Sequence, residues 1–299
     1  MKDKWVTRAI GRHLIDIPSD ATTVESYKFN NVPIQHLPEV ATQSEFDELI
    51  MAREKELRVG KHKTRGSMFV EQVAHSNGAV TLVSWYKDFS EVLHFFDTYF
   101  RVGTKTIKYS GDVDPEKSRL ILDQCDEMAR EWHEIPPGEI PSGIGFVSGD
   151  VILADNDFNR EHWQMLIKLN GKPDAWLKAS AFAHWAPEPG LRERAGGLVA
   201  SLLTTVTGFQ RLRSRARPVG PIEADEILLA GTEKGKRLYG FKWEAPGKAH
   251  SLAEPNLNVS LDVRESAYLT NNESFSTDEE ALELWDAVVS SIRLRPGAV

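Results

Sequence analysis

Residues Gly220 to Val299 decide the fold: strand-like segments, with Trp243-Glu244 and Pro246-Gly247 at one turn, lead into a closing helix and the tail Arg293-Leu294-Arg295-Pro296. Glu226 to Ala230, Arg237 to Trp243 and Leu257 to Val263 read as strands of an antiparallel meander, because Gly- and Pro-containing turns separate them. The closing helix runs from Asp278 to about Ser291 and starts at Ser276 or Thr277. Either hydroxyl has a Glu three residues on, the pattern that satisfies the free N–H groups of a first turn.

Upstream of this stretch, Trp163 to Leu169 and Trp176 to Trp185 are extended, a helix fits Leu191 to Leu203 in spite of Gly196-Gly197, and Gly208 to Arg217 is a further strand. Phe146 to Ala154 opens this half, after a linker made of Pro136-Pro137-Gly138 and Pro141-Ser142-Gly143. The first half repeats the order of elements. Ile10 to Pro18 and Tyr27 to Leu37 are extended, and a helix from Ser44 to Leu57, capped by Ser44, sets Phe46, Leu49, Ile50 and Leu57 on one face. Met68 to His75 and Ala79 to Tyr86 form a hairpin across Ser76-Asn77-Gly78. Val92 to Tyr109 is a buried stretch broken near Gly103, and a second helix runs from Asp114, its cap, to about Glu134. The fold class is α+β: two similar domains, 1–138 and 139–299, each an antiparallel sheet packed with two helices. A chain of 299 residues exceeds the length at which one core keeps growing, which also favours two domains.

Hydrophobic residues make up 41% of the chain and charged residues 27%, the composition of an ordinary globular protein. The formal charge of −8 and the scattered Lys and Arg residues disfavour nucleic acid, since a phosphate backbone meets net repulsion. An acidic surface suits a more basic protein partner, and it also serves solubility alone. Cys125 is the single cysteine and sits at an apolar helical position between Leu122 and Met128, which reads as a buried inert thiol. No apolar run approaches the length of a membrane span.

Catalytic and cofactor patterns fail on spacing. Gly145-Phe146-Val147-Ser148-Gly149 is no nucleophile elbow, and Gly143 to Ser148 follows a Pro-rich linker without opening a helix, which argues against a dinucleotide site. The nine histidines lack the paired spacing of a zinc site. Glu127, Glu131 and Glu134 share one face of the second helix with Arg130 among them, a solvated surface. No catalytic, cofactor or metal residue is expected.

The segment after Gly220, with its Trp243-Glu244 and Pro246-Gly247 turn and its Arg293-Leu294-Arg295-Pro296 tail, resembles the C-terminal domain of the immunity proteins that bacteria make against type VI secretion lipases. Gly11-Arg12-His13-Leu14-Ile15-Asp16-Ile17-Pro18 is similar to the first strand of the same family. The resemblance implies a crescent-shaped, two-domain inhibitor that forms a 1:1 complex with a cognate lipase effector, enters its cleft and keeps its lids from opening. It also implies residence in the periplasm, with an export signal removed before residue 1, and no enzymatic activity. The alternative is a periplasmic enzyme or a lipid- or small-molecule-binding protein whose site is assembled from distant residues. Candidate partner contacts are Asp155, Asp157 and Phe158, where an aromatic lies among acids, and Trp185 and Glu188, where a Pro-rich turn presents the indole. Arg211, Arg213, Arg215 and Arg217 alternate along one strand before the acidic Glu223-Ala224-Asp225-Glu226. They read as structural ion pairs or as an exposed basic strip in which Arg213 and Arg215 engage the partner.

Overall fold

The computed structural model describes residues 4–186, 189–194, 210–233, 236–263 and 274–299. Trp5–Ile10 (β1) and His13–Pro18 (β2) pair as a hairpin across Gly11-Arg12. The single extended segment expected from Ile10 to Pro18 is therefore reversed at its start. Gly11 has φ +55, a conformation that L side chains rarely adopt, and a Cβ there would fall 2.2 Å from the Trp163 ring. Tyr27 to Leu37 is corrected in the same way: Thr22–Phe29 (β3) turns into Val32–His36 (β4) at Asn30-Asn31, whose φ values of 50° and 64° fit a tight hairpin turn.

Helix Gln43–Val59 (α1) is capped by Thr42 and not by Ser44. The Thr42 hydroxyl accepts the Glu45 N–H at 3.3 Å while the Glu45 carboxylate accepts the Thr42 N–H at 2.9 Å, so two orphan donors are satisfied reciprocally. Its buried Phe46, Ile50 and Leu57 cluster with Leu82 and Tyr99 of the underlying sheet. Phe69–Ala74 (β5) and Val80–Trp85 (β6) form the hairpin expected at Asn77-Gly78, followed by His94–Val102 (β7) and Lys105–Val113 (β8), which turn at Gly103. Asp114 accepts the Glu116 N–H at 3.0 Å and starts a short 3-10 turn that leads into Ser118–Glu131 (α2). The helix stops before Trp132–Glu134 (β9), so Glu134 does not share a helical face with Glu127 and Glu131. It accepts hydrogen bonds from Thr104 instead.

Phe146–Ser148 (β10) and Val151–Leu153 (β11) form a further hairpin, at Gly149, where one segment to Ala154 was expected. His162–Lys168 (β12), Ala175–Phe182 (β13), Gln210–Ala216 (β14), Asp225–Glu233 (β15), Lys236–Ala245 (β16) and Asn256–Val263 (β17) follow, then Asp278–Ser291 (α3) and Arg293–Leu294 (β18). Thr277 caps α3 by accepting the Glu280 N–H at 3.2 Å. Residues 191–194 are helical; the rest of the helix expected to Leu203, and the start of the strand expected from Gly208, lie outside the described residues.

By its contacts the chain forms two units, one of residues 27–156 and one of residues 1–26 with 157–299. The first holds a mixed layer of α1 and α2 with strands in the order β4-β8-β7-β6-β5, the end of β3 lying on β4. The second holds the meander β14-β15-β16-β17-β13-β12 with α3. Each unit also carries a three-stranded sheet, β10-β11-β9 in one and β1-β2-β18 in the other. The two small sheets are built alike, from a hairpin with a glycine at φ +55 and a short strand leaving a helix. In both, the hairpin and the closing strand come from opposite sides of residues 136–143, a segment that lies within the unit 27–156.

The β1-β2-β18 sheet is sealed by Arg12, which is 1% exposed. Its guanidinium donates from Nε and Nη2 to Glu161, at 2.7 Å for Nη2, and from Nη1 to the Ala298 carbonyl at 2.5 Å, while its own carbonyl accepts the Arg295 N–H at 2.8 Å. A buried cation and carboxylate held by this many hydrogen bonds offset much of their desolvation, and removal of either leaves the other stranded. His13 lies beside them with neither ring nitrogen hydrogen-bonded among the described residues. Burial, and then the Arg12 charge, push its pKa from 6.5 down to about 4.

The unfolded chain binds a proton at His13 below pH 6.5 and the folded chain only near pH 4, so stability present above 6.5 is lost as pH falls towards 4. Denaturant titration at pH 7 and pH 5 should show a loss of about 2 kcal/mol from this group. His13→Leu should remove that share of the loss, and an undiminished acid slope in the variant would contradict the assignment.

Candidate partner interface

The chain leaving β13 passes buried Ala183 and His184 before Trp185, which is 55% exposed. The turn after β16 is pinned beside it: the His250 N–H donates to the His184 carbonyl at 3.0 Å, and His184 Nε2 is 3.3 Å from the Pro246 carbonyl. Gly247 makes the turn possible, since its φ is +76 and a Cβ would meet the Asn256 nitrogen at 2.5 Å. The loop before β12 is fixed by Glu161, whose N–H donates to the Asn159 carbonyl and whose carbonyl accepts the Ala183 N–H, both at 2.9 Å.

These three segments bring Phe158, Trp185 and His250 together. Ring centroids lie 5.2 Å apart for Phe158–Trp185, 5.0 Å for Phe158–His250 and 4.7 Å for Trp185–His250, all inclined. Edge-to-face packing of this kind holds each ring against the others, with Trp185 and His250 exposed and Phe158 half-buried. Phe158 and Trp185 were expected as contacts from separate loops; one cluster contains both. His250 has no sequence signal beyond its place after the Pro246-Gly247 turn. Asp157 is exposed, with its carbonyl accepting from Asn159 at 3.1 Å, and Asp155 is half-buried with its N–H on the Leu153 carbonyl at 3.0 Å. Glu188 lies outside the described residues.

The arginine strand is largely committed within the protein. A bulge between Arg211 and Arg213 shifts the register, so Arg211 does not share a face with the following arginines. Arg215 Nε donates to Glu226 at 2.9 Å, Arg217 donates to the other Glu226 oxygen at 2.6 Å, and Arg213 grips Asp286 through two bonds of 2.6 and 3.0 Å. Trp285 Nε1 also donates to Glu226, at 3.2 Å. Burial of Glu226 opposes its charge, but the Arg217, Trp285 and Arg215 donors outweigh this and hold its carboxyl below the usual range. Arg213 and Arg217 thus clamp α3 to the meander, and Arg215 alone of the three keeps a half-exposed side chain.

Small-molecule chemistry finds little purchase among the described residues. A cleft of about 670 Å³ lies between Trp5, Phe275, Leu284 and Ala287, but its Lys172 is already bonded to Glu280 at 2.5 Å and to the Ser274 carbonyl at 2.8 Å. Glu280 is held below its ordinary pKa by Lys172 first and the Ser276 N–H second, the opposite of what a general acid needs. Burial pushes the Cys125 thiol up to about 11, leaving it un-ionised. No group of three or more His, Cys, Asp or Glu among the described residues is placed to hold a metal ion.

Glu226→Gln leaves the clamp arginines without their buried countercharge and should cost about 3 kcal/mol of stability. Chemical denaturation checks this; a loss below about 1 kcal/mol would contradict a structural role for the network.

Comparisons with known proteins match the chain along both of its halves. Residues 6–120 match the family model of the Tle cognate immunity protein 4 N-terminal domain, and residues 139–297 match that of its C-terminal domain. No curated protein sequence is a match. Among solved structures, a chain of the Tle4–Tli4 complex is 32% identical over 100% of both chains with a TM-score of 0.94. The apo immunity protein TplEi of the type VI secretion system of Pseudomonas aeruginosa is 33% identical over 98% of both chains with a TM-score of 0.92. The same TplEi complexed with an "L" peptide is 32% identical, covering 99% of this chain and 100% of that one, with a TM-score of 0.88. With both of its domain models matched in order and its whole length shared with solved members, the chain belongs to the Tle cognate immunity protein 4 family.

Proposed function

We propose that this chain is an immunity protein that binds one copy of a cognate type VI secretion lipase effector and inhibits it, without chemistry of its own. The observation that carries this is the end-to-end likeness to a chain of the Tle4–Tli4 complex, at a TM-score of 0.94. On this reading the two domains, 1–138 and 139–299, form a crescent that occupies the effector's cleft and blocks lid opening, and the protein works in the periplasm, where such a lipase meets membranes. The Phe158–Trp185–His250 cluster supplies an anchor, because clustered aromatics at the centre of an interface carry a disproportionate share of binding energy. Asp157, next to Phe158, adds charge beside that anchor, and the half-exposed Arg215 on β14 offers a second, separate charge, which steers association more than it holds the complex.

Protection against a toxic enzyme leaves almost none of it free, which demands nanomolar or tighter binding and an interface of about 1,600 Å². Titration of a cognate lipase effector with this protein should reach full inhibition at one equivalent. Phe158→Ala with Trp185→Ala should leave thermal stability nearly unchanged and weaken binding by at least about 30-fold, roughly 2 kcal/mol. Absence of inhibition by the intact chain would overturn the proposal; full inhibition by the double variant would overturn only the anchor.

A further inference from the structure

Two loops of the unit 27–156 carry a surface that effector binding through the aromatic cluster does not use. Residues 58–69, leaving α1, and residues 85–93, joining β6 to β7, are tied together by backbone bonds. Lys63 N–H donates to the Asp88 carbonyl at 2.7 Å, Trp85 N–H to Met68 at 2.9 Å and Tyr86 N–H to Leu93 at 3.0 Å, while His62 Nε2 sits 2.8 Å from the Ser90 carbonyl. Cations lie over aromatic rings throughout this frame. The Arg58 guanidinium is 3.8 Å from the Phe69 centroid, Lys63 is 5.1 Å from Phe89, Arg65 is 5.3 Å from Trp85, and Lys87 is 5.2 Å from Tyr86 and 5.8 Å from Phe89. Four of the twelve large apolar side chains exposed among the described residues are here: Val59, Tyr86, Phe89 at 56% and Val92 at 64%.

With Lys61, these loops carry five cations, of which Arg58 is paired with Glu54 at 2.7 Å and Lys63 lies 4.0 Å from Asp88, so Lys61, Arg65 and Lys87 leave a net positive patch beside Glu91 on a chain whose formal charge is −8. Cations alone would fit any acidic surface. The apolar tips narrow the choice, because the backbone bonds hold the loops in a shape that leaves Phe89 and Val92 projecting into water. We propose that this patch docks the protein on an anionic lipid bilayer. Lys63, Arg65 and Lys87 sit among the lipid phosphates, and Phe89, Val92 and Tyr86 enter the headgroup boundary, where aromatic side chains are favoured. Reversible surface binding is the result, since each cation contributes modestly and salt screens the attraction.

The full-length protein should float with vesicles of phosphatidylethanolamine and phosphatidylglycerol at low salt, be released at high salt, and stay free of phosphatidylcholine vesicles. Lys63→Gln with Lys87→Gln, and separately Phe89→Ser with Val92→Ser, should each lower partitioning by about tenfold or more, with melting temperature and lipase inhibition unchanged. Failure of the unmodified protein to bind anionic vesicles, or binding that neither pair of substitutions weakens, would overturn the proposal. Loss of lipase inhibition in these variants would also overturn it, by assigning the patch to a protein partner. The vesicle assay contains no effector, so its outcome is independent of the inhibitor reading.

Discussion

The buried pair of Arg12 and Glu161 is the constraint on which the unit of residues 1–26 and 157–299 depends. One guanidinium holds a carboxylate that begins the second half's sheet and a carbonyl of the chain's last residues, at 2.7 and 2.5 Å. Such a pair contributes little as a bare charge contact, because two ions lose their hydration. Its effect is geometric: Arg12 accepts only a fully formed partner set, so the first hairpin, the loop before β12 and the tail after β18 must be in place together. Gly11, its Cα against Trp163, sets the direction in which the guanidinium leaves the turn.

Glu161 joins this lock to the candidate interface. Its backbone ties the Phe158 loop to Ala183, two residues before Trp185, so the side chain that answers Arg12 belongs to the segment that brings two of the three clustered rings together. A second ionic clamp, Glu226 with Arg215 and Arg217 and Asp286 with Arg213 and Arg217, fixes α3 on the far end of the same meander. Ion pairs therefore order the interior of this unit beside buried aromatics such as Trp243 and Trp285, while Trp185 faces outwards. An inhibitor gains from such an arrangement, since a rigid apolar cluster loses little conformational entropy on binding.

Much of the fold was legible because local chemistry and tertiary structure agree. Asn77-Gly78 turns where its residue types require, Asp114 and Thr277 cap where their side chains can reach, and the Arg strand meets Glu226 in the acidic segment that follows it. Three of the errors share a cause. Gly11-Arg12, Asn30-Asn31 and Gly149 reverse the chain inside apolar runs that read as continuous strands, because two-residue turns leave almost no polar interruption. Ser44 and Thr42 are equivalent by type, and the Glu45 carboxylate decides between them. Within the site, Phe158 and Trp185 were visible as aromatics near turns, but their contact, and His250 between them, arises from three segments far apart in sequence. The pairing of the closing strands is invisible to any local reading: β9 and β18 are two or three residues long, and β18 finds its partner β2 at the other end of the chain.

A chain split at 138/139 tests most directly whether these short closing strands hold each unit together. Residues 1–138 and 139–299 would be produced separately and together, and their unfolding followed by calorimetry and near-ultraviolet circular dichroism. Each fragment lacks one component of both three-stranded sheets, so neither should show a cooperative transition alone, and mixing them should restore one together with lipase inhibition. Two fragments that each melt cooperatively, with no gain on mixing, would contradict the claim.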